Sequence, residues 1–400
     1  MTGLPTLNAN DLNGKTVLVR ADLNAPMKDG VVTDATRLER FAPTAKELSE
    51  TGAKVIILTH VGRPKGKHSP EFTAAPLAEA LQGILGAPVT FVDDCIGDPV
   101  ASAIANAAPG DILLAENLRF QPGEEKDDPE FASALAANGD IYINDAFSCA
   151  HRAHASTHAI TKLLPSFAGP SLRSEVDALT LALDTPMRPV AALVGGAKVS
   201  TKIDVLTFLI PKMDTIIIGG GMANTFIAAR GLNVGKSLYE ADAVPQAKEL
   251  MQQAGQSSCH LLLPDDVVVA KEFAANAENR TVGTDAIGSD EMALDVGAKT
   301  IAAIDTALES AKTLLWNGPL GAFEIEPFGT ATFAVARKAA ERTKSGDLVT
   351  VAGGGDTVAA LNAANVGTDF TYVSTAGGAF LEWLEGKELP GIAALQEQGK

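Results

Sequence analysis

No apolar run in these 400 residues approaches the roughly 20 that a helix needs to cross a bilayer. The opening MTGLPTLNANDLNGK lacks a basic stretch followed by an apolar core, so no secretory leader is expected. Cysteine is scarce. Cys95, Cys149 and Cys259 are odd in number and far apart, which gives neither a disulfide framework nor a metal-ligand spacing and points to a reducing compartment. Positive charge is short as well: 32 Lys and Arg face 49 Asp and Glu, a net charge of −17. Such a surface repels nucleic acid and anionic membranes. Short-period repeats and low-complexity tracts are missing too.

What is present suits a folded, soluble chain: 46% hydrophobic and 20% charged residues. The length exceeds what one core usually supports, so two domains are expected. A small anion can bind so acidic a protein only where cations gather. Five of the six histidines (His60, His68, His151, His154 and His158) precede residue 160, with several arginines among them.

Short apolar runs at 16–19, 54–59, 89–92, 112–115 and 141–143, and again at 190–194, 215–218, 261–263, 313–316, 348–352 and 371–373, alternate with helical patterns. That alternation predicts α/β architecture: two doubly wound lobes, each built on a parallel sheet covered on both faces. Prolines at 165, 170, 186 and 189 bracket a segment in which Leu172, Val176, Leu179 and Leu183 recur at helical spacing. This predicts a connecting helix that begins near Ser171. The segment LEGKELPGIAAL near the C-terminus could pack on either lobe.

Ligands of open α/β sheets bind beyond the carboxyl ends of the strands. In the second half those ends read Gly195-Gly196-Ala197-Lys198, Gly219-Gly220-Gly221, Gly353-Gly354-Gly355-Asp356-Thr357 and Ala376-Gly377-Gly378, each expected to lead into a helix. One such turn means no more than a tight connection. Four in one half, two of them with Lys or Asp-Thr, make phosphate binding the better joint account. Known nucleotide fingerprints fail. RGLNVGKS has Arg230 where a P-loop starts with glycine, and the two GxGxxG beginnings end in Asn224 and Val358, which weakens a nicotinamide dehydrogenase. Lys198 and Lys202, four apart, would share a face on a helix and could reach two phosphates, although a solvated helix surface explains them as well. Asp356 reads as a helix cap or a magnesium contact, and pattern alone favours the cap. Glu324 could accept from a ribose hydroxyl.

The first half is chemically different. Its loops RADLNAPMKDG, THVGRPKG, ENLRFQPGEEK and NDAFSCAHRAHAST place Arg63, Arg119 and Arg152 beside His60 and His151, with Arg37 following in TDATRLER. A lone arginine is usually a surface ion pair. Several at successive strand ends point to a small polyanion, matched by guanidinium forks, with Asp22 and Asn24 available for its hydroxyls.

VRADLNAP, THVGRP, ENLRF, NDAFSCAHRAHAS, GGAKVSTKI, GGGMANTF, WNGPLGAFE, GGGDT and VSTAGGAFLEWLEGK occur in order along the chain. In these segments, and over essentially its whole length, the sequence resembles the bacterial phosphoglycerate kinases. The resemblance implies that Asp22, Leu23, Asn24, Arg37, His60, Val61, Gly62, Arg63, Arg119 and Arg152 bind 3-phosphoglycerate. It implies that Gly196, Ala197, Lys198, Lys202, Gly220, Asn317, Pro319, Glu324 and Gly353, Gly354, Gly355, Asp356 and Thr357 bind ADP or ATP. Asp356 would then contact Mg2+ instead of serving as a plain cap, and Arg37, Lys198 and Lys202 would act in catalysis. It further implies a cytoplasmic monomer with lobes at 1–170 (joined by about 385–400) and 189–384, a hinge helix at 171–188 and a cleft that closes between the lobes for transfer. A non-catalytic anion- or nucleotide-binding protein on the same fold is the alternative. Leu23, Ala25, Val61, Ser148 and Ala376 depart from the family's usual Phe, Val, Leu, Gly and Gly.

Overall fold

Runs such as Val190–Val194 and Ile112–Ala115 are apolar at every position, and every residue in them is buried. Only a strand covered on both faces accommodates such a run. The computed structural model, which describes residues 3–7 and 12–398, places them as interior strands of two six-stranded parallel sheets. The chain divides into two units, Met1–Asp177 with Glu388–Lys400, and Ala178–Lys387. No helix among the described residues is long and apolar enough to cross a membrane.

In the first unit the strands lie in the order Val89–Val92, Ile112–Ala115, Lys54–Leu58, Thr16–Ala21, Ile141–Asp145 and Ser166–Ala168. In the second the order is His260–Leu262, Thr215–Ile218, Val190–Val194, Thr313–Asn317, Val349–Gly353 and Tyr372–Ser374. Counted along the chain, this second order is 3-2-1-4-5-6, that of a doubly wound dinucleotide-type sheet. Its direction of growth reverses between Val190–Val194 and Thr313–Asn317, so a crevice is expected beyond their carboxyl ends.

Local chemistry explains the helix boundaries. Asp128 caps Pro129–Ala136: its Oδ1 accepts the N–H groups of Glu130 (2.8 Å) and Phe131 (3.2 Å), and Pro129 stands at the first helical position. The bracketed stripe folds as the helix Pro170–Leu183, with Leu172, Val176 and Leu179 fully buried. Its start is anchored by Asp145, which accepts the Leu172 N–H at 3.0 Å and the Thr44 hydroxyl at 2.9 Å.

Three features escape the sequence pattern. One is the edge strand Ser166–Ala168. Another is a two-residue ribbon, Met27–Lys28 against Val31–Val32. The third is an antiparallel sheet of Asn279–Gly283, Asp266–Ala270 and Met292–Val296. The helix Pro390–Gln398 belongs to the first unit, where the Gly391 N–H bonds the Ala150 carbonyl at 2.9 Å.

Candidate functional site

In the first unit the strand Thr16–Ala21 delivers Asp22 directly past its carboxyl end. Asp22 accepts hydrogen bonds from Arg37, in the first turn of the helix Thr36–Glu50, and from the Ser148 hydroxyl, in the turn Phe147–Cys149. Burial alone would raise the Asp22 pKa. The charge of Arg37 and the hydrogen bond from Ser148 hold it below the ordinary carboxylate value. Asn24 Oδ1 accepts the Gly62 N–H at 2.9 Å and so ties this loop to the one carrying His60, Val61, Gly62 and Arg63. Leu23 and Val61 are buried beneath. Gly62 has φ +57 and lies against the Phe72 ring, a place with no room for a side chain. Arg119 donates to the Gly62 carbonyl at 2.7 Å and pairs with Glu125 at 3.2 Å. Arg63 is exposed, Arg152 is half-buried, and neither side chain has a hydrogen-bond or ion-pair partner among the described residues. In a protein with so many more acids than bases, two unpaired guanidinium groups beside a strand-end loop cluster are the feature that invites an anion.

Arg20, which the sequence pattern does not single out, lies under this cluster at 1% exposure. Arginine within an otherwise apolar strand, VLVRA, was the available signal. His60 is buried, and burial followed by the charge of Arg20 pushes its pKa well below the ordinary 6.5. Asp22, His60 and Cys149 bring ligand-type atoms within 4.8 Å of one another. Arg37 and Arg20 already bond to them, and two fixed cations exclude a third.

In the second unit a cavity of about 500 Å³ opens beyond the strand ends at the reversal point. Gly196, Ala197, Gly220, Pro319, Glu324 and Asp356 line it. Gly220, at φ +70, precedes the helix Gly221–Ala229, and Gly354, at φ +97, precedes Gly355–Ala363, so two helix starts present free N–H groups. The opposite wall is apolar: Leu238 and Phe273, both more than half exposed, with Met292 and Leu294 from the antiparallel sheet. Sequence reasoning missed this wall, because Met292 and Leu294 come from the sheet whose pattern was unread and Leu238 and Phe273 from irregular segments that carry no period.

Two expectations need correcting. Lys198 and Lys202 do not share a helix face. Lys198 is extended (φ −131, ψ 129), Val199–Thr201 form a 3-10 turn, and the α-helix Ile203–Leu209 starts only after Lys202. The glycine turn at 195–196 leaves the backbone in an irregular course that postpones the helix. Nor is Asp356 a cap. Gly354 occupies the cap position, no side chain bonds there, and Asp356 stands exposed in the first turn with no hydrogen bond or ion pair among the described residues. Its free carboxylate is a hard oxygen donor of the kind Mg2+ takes.

Asn317 organises this end of the sheet. Its Oδ1 accepts from the Lys202 ammonium, and its Nδ2 donates to the Gly353 carbonyl at 2.7 Å. Burial lowers the Lys202 pKa, while Glu385 and Asp356 act in the other direction. Lys198 and Glu324 are exposed, and Gly355 has open space around it. The Thr357 hydroxyl is buried and accepts the Gly318 N–H at 2.7 Å, which gives it a structural task.

Known proteins align with this geometry. The family model described as phosphoglycerate kinase matches residues 7–387. Curated phosphoglycerate kinases of Methylorubrum extorquens (strain PA1) and Rhizobium leguminosarum bv. trifolii (strain WSM2304) are 60% and 61% identical, over 100% and 96% of both chains. The solved phosphoglycerate kinase of Coxiella burnetii superposes with a TM-score of 0.91 at 42% identity, covering 97% of this chain and 98% of that one.

Proposed function

The chain belongs to the phosphoglycerate kinase family, and from that premise we propose how its residues perform the family's reaction. The reaction is reversible phosphoryl transfer from 1,3-bisphosphoglycerate to ADP, giving 3-phosphoglycerate and ATP, a carboxyl-acceptor phosphotransferase step of glycolysis. The first unit takes the glycerate ligand. Arg63, Arg119 and Arg152 bind its anionic groups, Arg37 its carboxylate, and Asp22 and Asn24 its hydroxyl, while Leu23, Val61 and Gly62 shape the loops and His60 donates an N–H. The second unit takes the nucleotide. The base lies on the apolar wall, the ribose meets Glu324, and the phosphates meet Gly196, Ala197, Gly220, Pro319 and the Gly353–Thr357 turn, with Lys198, Lys202 and Asn317 alongside.

The family uses its nucleotide with Mg2+, and the free carboxylate of Asp356 is the residue that fits that ion. When bound, the ion supplies charge neutralisation on phosphate oxygens. No general base is needed, because a carboxylate acceptor is already ionised at neutral pH. The neutral state of His60 agrees with that. Catalysis then consists of positioning and charge stabilisation. Arg37 turns from Asp22 to the acceptor carboxylate, and Lys202 exchanges Asn317 for the phosphoryl group in transit. Reacting atoms must come within roughly 3–3.5 Å, so transfer requires the two loaded units to draw together and water to leave. The protein acts as a monomer in the cytoplasm.

The single observation that carries this reading is the pair of unpartnered arginines, Arg63 and Arg152, on one unit, matched by a cavity with two helix starts and a free carboxylate on the other. A coupled assay for ATP formed from ADP and 1,3-bisphosphoglycerate tests it. Turnover that depends on Mg2+ is expected. Binding of both ligands without any ATP would leave a non-catalytic binding protein instead.

A further inference from the structure

The Arg20 guanidinium makes contacts on every side. Nε donates to Ser156 Oγ at 2.9 Å, Nη1 to the Ala21 carbonyl at 2.6 Å and the Leu58 carbonyl at 3.5 Å, and Nη2 approaches His60 Nδ1 at 3.0 Å and Cys149 Sγ at 3.6 Å. An arginine has donors and no acceptor, and it does not lose its proton in a protein. Facing such a group, Nδ1 of His60 must be the acceptor, and the ring's proton must sit on Nε2. Cys149 Sγ, 3.9 Å from the same Nδ1, has only a weak donor to offer it, so nothing there calls for a proton on that nitrogen. Nε2 has no hydrogen-bond partner among the described residues and is not among the buried atoms left unsatisfied.

We propose that Arg20 is a positioning residue for His60: it fixes the imidazole in the Nε2–H tautomer, so that the ring meets its ligand as a neutral N–H donor and not as a cation. The buried charge of Arg20 is balanced from below. Ser156 accepts from Arg20 and donates its hydroxyl to Glu124 Oε1 at 2.6 Å, and the Ser156 N–H bonds Glu124 Oε2 at 3.0 Å. Glu124 is wholly buried. A buried ion pair bridged by one hydroxyl is costly to assemble and costly to break, and its outward face is the bond to His60. The charged and titratable groups acting on the ring are Arg20 from the strand Thr16–Ala21, Asp22 from the loop after it, Arg37 from the helix Thr36–Glu50, Arg119 from the turn Leu118–Phe120 and Cys149 from the turn Phe147–Cys149. Only Asp22 favours a protonated ring, and Asp22 is already engaged by Arg37 and Ser148. Through Arg20, the anion-binding strength of His60 becomes independent of pH across the neutral range.

The test is nitrogen-15 NMR of histidine-labelled full-length protein between pH 5.5 and 8, with His60 assigned from His60→Gln. The wild type should show Nδ1 unprotonated and Nε2 protonated, without titration. The charge-balanced pair Arg20→Met with Glu124→Gln should let His60 titrate in that window and populate both tautomers, whereas Arg20→Lys, which still faces Nδ1 with donors alone and a positive charge, should keep the wild-type tautomer. In the double variant the KM for 3-phosphoglycerate, relative to wild type, should rise about five-fold from pH 5.5 to 8 as the ring loses a charge that wild type never carries. A wild-type ring with its proton on Nδ1, or one that titrates near its ordinary value, overturns the proposal. So does a folded Arg20→Met, Glu124→Gln variant, judged by circular dichroism, whose His60 spectrum is unchanged. The KM arm rests on the first unit being the phosphoglycerate site, and the spectra do not. Altered spectra with an unaltered KM would therefore count against that site assignment while leaving the Arg20–His60 bond established.

Discussion

Several side chains proposed to handle ligand are already engaged in the free protein. Arg37 is paired with Asp22, and Lys202 with Asn317. Each protein bond must be exchanged for a ligand bond, so these cations are held ready instead of waving in water. Lys202→Ala should therefore lower kcat on the order of 10²–10³-fold, because its charge counts most in the transition state. Lys198→Ala, removing an exposed cation, should act mainly on nucleotide affinity. Steady-state kinetics with direct ADP and ATP titrations distinguish the two. If Lys202→Ala raises only the KM for nucleotide, Lys202 is merely a binding group. Arg63→Ala should weaken 3-phosphoglycerate binding and leave ADP affinity nearly unchanged in calorimetry; equal losses would sink the separation of sites. The chemistry of these residues was legible from their types and their places at strand ends. Their partners were not, because Asp22 and Ser148 are 126 residues apart and meet only through the sheet. Ser148, where the family usually has glycine, is thus an extra donor on the Asp22 carboxylate.

Among elements, the parallel strands were readable because burial on both faces leaves a nearly continuous apolar run. Asn279–Gly283 was not, since three of its five residues are exposed and its sequence, NRTVG, carries no alternation. Ser166–Ala168 is too short for any period to register. The missed sheet carries Asp295 into the cavity wall, where its carboxylate accepts the N–H groups of Val296 (2.9 Å) and Ala331 (3.0 Å). Burial pushes its pKa up to about 7 despite those bonds. A carboxyl whose pKa is raised by folding stabilises the folded state fully below its unfolded value, and loses that contribution as pH rises through the folded value. Asp295→Asn should accordingly remove a stability loss on the order of 1–3 kcal/mol between pH 5 and 8. Denaturant titrations at the two pH values would show the wild type losing that stability and the variant keeping it, and a constant difference would refute the assignment. At the glycine turns the backbone itself is the constraint. A Cβ on Gly220 would stand 2.6 Å from the Gly196 carbonyl oxygen at φ +70. Gly220→Ala should cost roughly 2–4 kcal/mol of stability by denaturant titration; a cost below the error of the method would mean that this turn yields.

At the scale of the molecule, the layout of two α/β units could be read from alternating patterns and a proline-bracketed helix. The path of the chain between them could not: the segment after residue 387 is amphipathic and would satisfy either surface. If each ligand occupies its own unit, the ternary complex should have a smaller radius of gyration than the free protein by small-angle scattering. An unchanged radius with both sites saturated would contradict transfer by approach of the units.

The helix Pro390–Gln398 seals the first unit against the turn that follows Cys149, with Leu389, Ile392 and Leu395 almost fully buried. Yet 210 residues of the other unit, 178 to 387, intervene in the chain. A ribosome must therefore deliver the whole nucleotide-type unit before the first-made unit receives its closing piece. While the later-made unit is being synthesised, the first-made unit lacks the apolar side chains of Leu389, Ile392 and Leu395, and the later-made unit is the one able to complete its core first.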